Sequence, residues 1–217
     1  MHASRLFSRR ALGALILSAS FAGALSAPTP LHAAPATPAS LVEDFHARLV
    51  AVMKDAKTLG FQGRYDRLTP AITGTFHLRL MTQITSGAPW RKASETEKKA
   101  LVAAFSTVSV ATYAARFSGF SGQHFETLGV KPGARETQLV MTRLVNPGDE
   151  NVALTYVTKR VEGAWRVIDV VLASGISELA LRKSEYRQIL QQGGVPGLTT
   201  ALNAKAAELE AGTKPNG

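Results

Sequence analysis

Apolar residues recur at helical spacing from about residue 39 onwards. Residues 39–58 carry one continuous apolar stripe, which is typical of an α-helix with one buried face. Ser40 has the chemistry of an N-cap, and Gly60 is a natural stop signal. The pattern therefore predicts a helix that begins at Ser40 and ends before Gly60.

Residues 64–87 keep the helical spacing but contain interruptions. Pro70 and Gly74 fall inside the apolar pattern, and proline disrupts a helix interior because it lacks the N–H group. We therefore expect short helices broken at these two positions. The spacing predicts one shared apolar face made of Phe76, Leu80 and Ile84.

Residues 94–117 predict a long helix. Ser94 and Glu97 have the spacing of a capping box, in which the two side chains satisfy free backbone N–H groups. The helix contains many alanine and serine residues, which favour close packing against another helix over approach of a ligand. Its apolar stripe consists of Leu101, Phe105, Val108 and Thr112.

Beyond residue 123 the pattern changes from helical spacing to strand-like runs rich in Val, Thr and aromatic residues. The turn signals "KPGA", "NPGD" and "VEGA" separate these runs, and such short connections are typical of an antiparallel meander. The four predicted strands cover residues 124–130, 136–145, 151–161 and 164–173.

Two further helices are predicted, over about residues 176–192 and 196–209. The order of helices, then strands, then helices predicts an α+β fold. We expect a single domain over residues 37–210, in which N-terminal helices and C-terminal helices cover a curved antiparallel sheet of about four strands. Residues 211–217 are expected to form a disordered tail.

Residues 1–36 have the three-part pattern of a signal peptide: a basic start, an apolar segment too short for a good membrane span, and a run of small residues. Cleavage after Ser26, Ala33 or Ala36 fits this pattern. The pair Arg9 and Arg10 also fits a twin-arginine signal, so both the Sec route and that route stay open. The mature protein is expected to work outside the cytoplasm.

Composition excludes several classes of function. The chain has no cysteine, which rules out thiol nucleophiles and thiolate metal sites. Its net charge is +9, yet no run of Lys and Arg indicates nucleic-acid binding. The histidines at 46, 77 and 124 are far apart in sequence and show no metal-binding spacing. We expect no metal, no cofactor and no catalytic residue.

Asp169 stands out because it interrupts the apolar run of the last predicted strand. Alternation along the strand puts it on the face shared by Trp165, Val167 and Val171. A carboxylate there is costly unless it is hydrogen-bonded or paired. We expect Asp169 to cap a neighbouring helix or meet an arginine, in preference to acting as a general base.

The segment that follows Asp169 resembles the MlaC/toluene-tolerance family of periplasmic lipid-binding proteins. The similarity rests on a tryptophan-containing strand, a Gly-Ile-Ser turn and a Lys-Ser-x-Tyr helix, with support from "AAFSTVSVATYAARF" and "GGVPGLTTALNAK". The motif residues are Trp165, Val167, Asp169, Val170, Gly175, Ile176, Ser177, Lys183, Ser184 and Tyr186. "ATYAARFSGFSGQHFE" and "ISELALRKSEY" resemble the hopanoid-associated HpnM branch more closely.

The resemblance implies that a phospholipid or a hopanoid is held in an apolar cavity between the sheet and the helices. It also implies an inner-membrane ABC transporter complex and an outer-membrane lipoprotein complex as partners. Val167 and Val170 differ in strand parity, so both can face the cavity only if a bulge lies between them. The expected lining residues are Phe76, Leu80, Ile84, Phe105, Val108, Tyr113, Leu139, Met141, Tyr156, Val167 and Val170.

Two other interpretations stay open at the level of sequence. A small periplasmic enzyme on a similar curved-sheet fold would use Asp169 and a histidine for proton transfer. A ligand-free adaptor would bind a membrane complex through the same domain. The same apolar residues would then form a solid core.

The pattern of the first 36 residues yields a testable prediction. The exported protein should begin between Ala27 and Thr37, because signal peptidases cleave after small residues that follow the apolar segment. N-terminal sequencing of the exported protein measures this directly. An intact Met1 in the exported protein would contradict it.

Overall fold

The structure, a computed structural model, describes residues 37–212. The predictions for residues 1–36 and for the tail residues 213–217 lie outside the described residues. The described chain contains six helices and four strands: α1 (Pro38–Lys54), α2 (Ala56–Thr75), α3 (Leu78–Ser86), α4 (Ala88–Lys92), α5 (Glu95–Arg116), β1 (His124–Pro132), β2 (Thr137–Val145), β3 (Val152–Val161), β4 (Ala164–Leu172) and α6 (Glu178–Glu210). This order confirms the predicted α+β class.

The N-cap of the first helix lies three residues before the predicted cap. Thr37 is the N-cap, and its side chain accepts a hydrogen bond from the Ser40 N–H at 3.0 Å. Ser40 returns the interaction by accepting from the Thr37 N–H, so it completes a capping box instead of starting the helix. The chain leaves α1 at Lys54, and Gly60 forms a kink inside α2 with φ of 59°.

The predicted breaks at Pro70 and Gly74 are wrong, because α2 runs through both to Thr75. The chain leaves the helix at Phe76, whose backbone is extended. Phe76 forms a parallel bridge with Val167, and the His77 N–H donates to the Val167 carbonyl at 2.9 Å. This pairing with the sheet edge takes Phe76 out of the helix. The predicted shared helical face is therefore wrong.

The predicted capping box of α5 is confirmed. The Glu97 N–H donates to the Ser94 hydroxyl at 3.2 Å, and the Ser94 N–H donates to the Glu97 carboxylate at 2.7 Å. Leu101, Phe105 and Val108 of the predicted stripe are buried. The helix packs against α2, α3 and α6, which agrees with its many small residues.

The two predicted C-terminal helices are joined in α6. Gly194 divides this helix with a kink, where φ of 60° places it in the left-handed region that glycine tolerates. Pro196 restarts the helix two residues later. Among residues 37–212, no helix combines the length and the apolar character that a membrane crossing requires.

The sheet is a four-strand antiparallel meander in the order β1-β2-β3-β4, as predicted. Tyr156 at the centre of β3 lies opposite Val140 of β2 and Val170 of β4, and all three are buried under the helices. We call this side the inner face. Leu139 and Met141 have the opposite parity, so they lie on the outer face and are only half-buried.

A β-bulge interrupts the last strand at Ile168. Val157 pairs with Asp169, whereas the next residue, Thr158, pairs with Val167, so Ile168 has no partner on β3. One extra residue resets the alternation of side chains. Val167 and Val170 therefore both face inward, with exposures of 0% and 9%.

The bulge also gives Asp169 its role. Its Oδ1 accepts hydrogen bonds from the N–H groups of Val170 at 2.8 Å and Leu179 at 3.1 Å, and its Oδ2 accepts from the Ser177 hydroxyl. Ser177 is the N-cap of α6. The carboxylate thus accepts a hydrogen bond from an N–H group in the first turn of α6. Its negative charge also interacts favourably with the positive end of the helix dipole. This confirms the expected capping role.

We predict that Asp169→Asn destabilises the protein by about 0.5–2 kcal/mol, the usual range for a lost helix cap. An amide presents one acceptor oxygen and no negative charge, so it cannot serve all three donors. Chemical denaturation measures the change. Asp44→Asn, on the exposed side of α1, is the matched control, and equal stability of the two variants would contradict the prediction.

Candidate functional site

A cavity lies between the inner face of the sheet and the helices. Its empty volume is about 780 Å³, which includes solvent at its opening. The enclosed space that a water-sized molecule can enter is about 120 Å³, which is smaller than the about 300–1,000 Å³ common for small-molecule sites. It is lined by Ile72, Phe76, Leu78, Met81, Ser109, Thr112, Tyr113, Arg116, Phe117, Leu154, Tyr156, Val170, Leu172, Glu178 and Arg182.

The sheet side of the cavity follows from strand register. Tyr156 pairs with Val170, and Leu154 pairs with Leu172, so the four side chains form two adjacent rows on the inner face. The bulge at Ile168 keeps Val170 and Leu172 in this position. The sheet therefore presents mainly hydrocarbon to the cavity.

Aromatic rings brace the helical side. Phe76 contacts Phe45 of α1 edge-to-face at 5.2 Å between ring centroids, and it contacts Tyr113 of α5 at 5.9 Å. Tyr113 in turn stacks on Phe117 at 5.7 Å. Each such aromatic pair is worth about 0.5–1.5 kcal/mol beyond its area burial, so these contacts favour the observed positions of the rings.

A buried polar pair lies behind the cavity wall. The Nε2 atom of His46 is 3.0 Å from the Tyr156 hydroxyl, and the His46 ring stacks on Phe125 at 3.8 Å. Burial lowers the pKa of His46 to about 3, so the ring is neutral at physiological pH. The Tyr156 hydroxyl forms a hydrogen bond with His46 of α1, whereas its ring faces the cavity.

Charged side chains lie where the cavity reaches the surface. Arg116 ends α5 and is exposed, whereas Glu178 and Arg182 lie one turn apart at the start of α6 and are half-buried. Burial raises the pKa of Tyr113; the Glu178 carboxylate raises it further, and the Arg182 and Arg116 guanidinium groups oppose the shift. All three charges thus lie close to the Tyr113 hydroxyl. We call these three residues the mouth.

The structure brings together only some of the predicted lining residues. Phe76, Tyr113, Tyr156 and Val170 line the cavity. Phe105, Val108 and Val167 are buried in the surrounding core and do not line it.

The other four predicted residues lie away from the cavity. Ile84 is 38% exposed, and Leu80 is half-buried, because α3 turns Leu78 and Met81 inward instead. Leu139 and Met141 lie on the outer face of the sheet for the parity reason given above.

Sequence reasoning missed most of the lining, and part of it could have been found. Leu154 and Leu172 follow from Tyr156 and Val170 by the two-residue period of a strand. Ser109 lies among the small residues of α5, for which the sequence favours packing against another helix over approach of a ligand. The three charged residues of the mouth carry no sequence signal, since each lies in an ordinary amphipathic helix.

The described residues contain no cluster of three or more metal-ligating side chains. His77 caps α3 by accepting the Leu80 N–H, and His124 is exposed near Glu126. Asp169 bonds only to groups of the β4–α6 junction. The cavity can therefore shield an apolar ligand from water, and it carries charged side chains at its opening.

The MlaC protein family model matches residues 43–204. The chain belongs to the MlaC family. A solved structure with the same fold is the phospholipid-binding protein from Ralstonia solanacearum in complex with a phospholipid. It has a TM-score of 0.69 and 22% sequence identity, and the alignment covers 79% of this chain and 97% of that chain. No curated protein matches the chain.

The buried His46 generates a prediction about pH. Its pKa is about 3 in the folded protein and 6.5 without burial, so the unfolded chain takes up a proton first as the pH falls. The stability that this neutral ring supports is complete above about pH 6.5 and is lost as the pH falls towards 3. His46→Gln keeps a group that can bond to Tyr156 but does not titrate.

Between pH 7 and pH 4.5, the free energy of unfolding should fall by about 2 kcal/mol more in wild type than in His46→Gln. Denaturant melts at the two pH values measure this difference. His124→Gln, at an exposed site, should behave as wild type. Parallel pH dependence of wild type and His46→Gln would show that the ring is not held neutral.

Proposed function

We propose that this protein is a periplasmic carrier that holds a phospholipid or a hopanoid in the cavity. In this proposal it moves the lipid between the inner and outer membranes with an ABC-type transport system. An inner-membrane transporter complex and an outer-membrane lipoprotein complex would be its partners. The observation that carries the proposal is the braced apolar cavity in a chain of the MlaC family.

The physical basis is the exclusion of hydrocarbon from water. Each buried methylene group favours binding by about 0.8 kcal/mol, so an acyl chain or a ring system gains strongly from such a cavity. Leu154, Val170 and Leu172 offer it a hydrocarbon wall, and Tyr156 contributes its ring. The Ralstonia solanacearum protein with the same fold is a phospholipid-binding protein, which supports the same assignment.

The enzyme interpretation gains no support from the geometry. Both oxygens of Asp169 are used by donors at the β4–α6 junction, and none of the donors is a histidine. The neutral His46 is bonded to Tyr156 behind the cavity wall. These two candidate groups for proton transfer therefore serve the fold.

Mass spectrometry of an organic extract from natively purified protein tests the proposal. A co-purifying phospholipid or hopanoid in near-stoichiometric amount is the expected result. Protein that is consistently empty after gentle purification would contradict the carrier assignment and favour the adaptor.

A cavity-filling variant provides an independent prediction. Ser109 is small and lines the cavity from α5, so Ser109→Phe should occupy part of the space. We expect the variant to fold with a stability within about 1–3 kcal/mol of wild type, the usual range for added core volume. The amount of co-purifying lipid should fall several-fold.

Ala103→Phe is the matched control, because Ala103 lies on the exposed side of the same helix. Its lipid content should equal that of wild type. Undiminished lipid in folded Ser109→Phe would place the ligand elsewhere.

A further inference from the structure

The mouth combines two positive charges with one negative charge at the end of an apolar cavity. Arg116 comes from the last turn of α5, and Glu178 and Arg182 come from the first turns of α6. Among residues 37–212, none of the three forms an ion pair with another side chain. No ion pair therefore neutralises these charges, although the Arg182 guanidinium also lies within hydrogen-bonding reach of the Tyr186 hydroxyl.

Two backbone N–H groups at the start of α6 already have partners. The N–H of Leu179 donates to Asp169, and the N–H of Ala180 donates to the Ser177 hydroxyl. These caps occupy donors at the start of α6 that would otherwise attract a phosphate. The charged side chains are therefore the main groups that can recognise a charged ligand here.

The two arginines suit a phosphodiester. A guanidinium group presents several donors in a fixed plane and pairs well with phosphate oxygens. Arg182 is also held in place, since its guanidinium carbon lies 5.3 Å from the centre of the Phe105 ring. A guanidinium that is already ordered loses less freedom when it binds.

Glu178 adds the complementary charge. It lies one helical turn before Arg182, on the same side of α6, and both line the cavity. A carboxylate there can accept hydrogen bonds from an ammonium group. Two cations and one anion at a single opening match a headgroup that carries both a phosphate and an amine.

We infer that the mouth selects zwitterionic glycerophospholipids of the phosphoethanolamine class, with Arg116 and Arg182 on the phosphate and Glu178 on the ammonium group. This inference rests on the proposed lipid-carrier function and narrows its cargo. A hopanoid hydrocarbon would leave the three charges without partners.

The test compares lipids that share their acyl chains. Delipidated mature protein is titrated with phosphatidylethanolamine, phosphatidylglycerol, diacylglycerol and an uncharged pentacyclic hopanoid, and binding is measured by displacement of a fluorescent fatty acid. Wild type should bind phosphatidylethanolamine most tightly, then phosphatidylglycerol, then diacylglycerol. Added salt should weaken the binding of the two phospholipids and leave the binding of diacylglycerol unchanged.

Substitutions at the mouth test which residues bind the phosphate and which bind the amine of the headgroup. Arg116→Gln/Arg182→Gln should lower the affinity for both phospholipids by about tenfold or more, the loss expected when charge-assisted contacts are removed. Its affinity for diacylglycerol should remain that of wild type, which also shows that the variant is folded. Glu178→Gln should weaken phosphatidylethanolamine alone. Arg187→Gln on the same helix, outside the cavity, is the control.

Other outcomes overturn the inference in distinguishable ways. If wild type binds diacylglycerol and both phospholipids equally well, the mouth does not recognise the headgroup. Preference for the hopanoid would overturn the inference and leave the carrier function intact. An unchanged preference in Glu178→Gln would remove the assignment to an amine. Failure of wild type to bind any of the four lipids would overturn the proposed function as well.

Discussion

The β-bulge at Ile168 is the constraint on which the rest of the architecture depends. It places Val167 and Val170 on the same face although their parity differs. The same extra residue separates Asp169 from the apolar inner row, so that its carboxylate can cap α6. One irregularity in an edge strand therefore fixes the floor of the cavity and the start of the helix that carries part of its mouth.

Most of the fold could be predicted from hydrophobic periodicity, because each strand is bounded by a clear turn signal and α5 by a capping box. The errors came where a distant contact decided a local conformation. Phe76 has helical neighbours on both sides, yet it pairs with Val167 from β4. Pro70 lies within α2, where the packing of Leu68 and Ile72 in the core outweighs the lost hydrogen bond.

The candidate site was harder to predict than the fold. Periodicity identifies which residues share a face, but it does not say which face is inside. In β2 the inner face carries Val140, whereas Leu139 and Met141 lie on the outer face. It also cannot distinguish a side chain that faces empty space from one that faces another side chain. Tyr113 and Phe105 lie on one helix, yet only Tyr113 meets the cavity.

The cavity also has a thermodynamic consequence for the life of the protein. Empty apolar space sacrifices packing contacts, and this chain has no cysteine with which to form a compensating disulfide. A ligand that binds only the folded state stabilises it in proportion to the logarithm of its concentration relative to its dissociation constant. For a lipid carrier of this kind, delivery of cargo and loss of conformational stability are one event. The unloaded form is then the less stable of the two, and it unfolds more often than the form that holds a lipid.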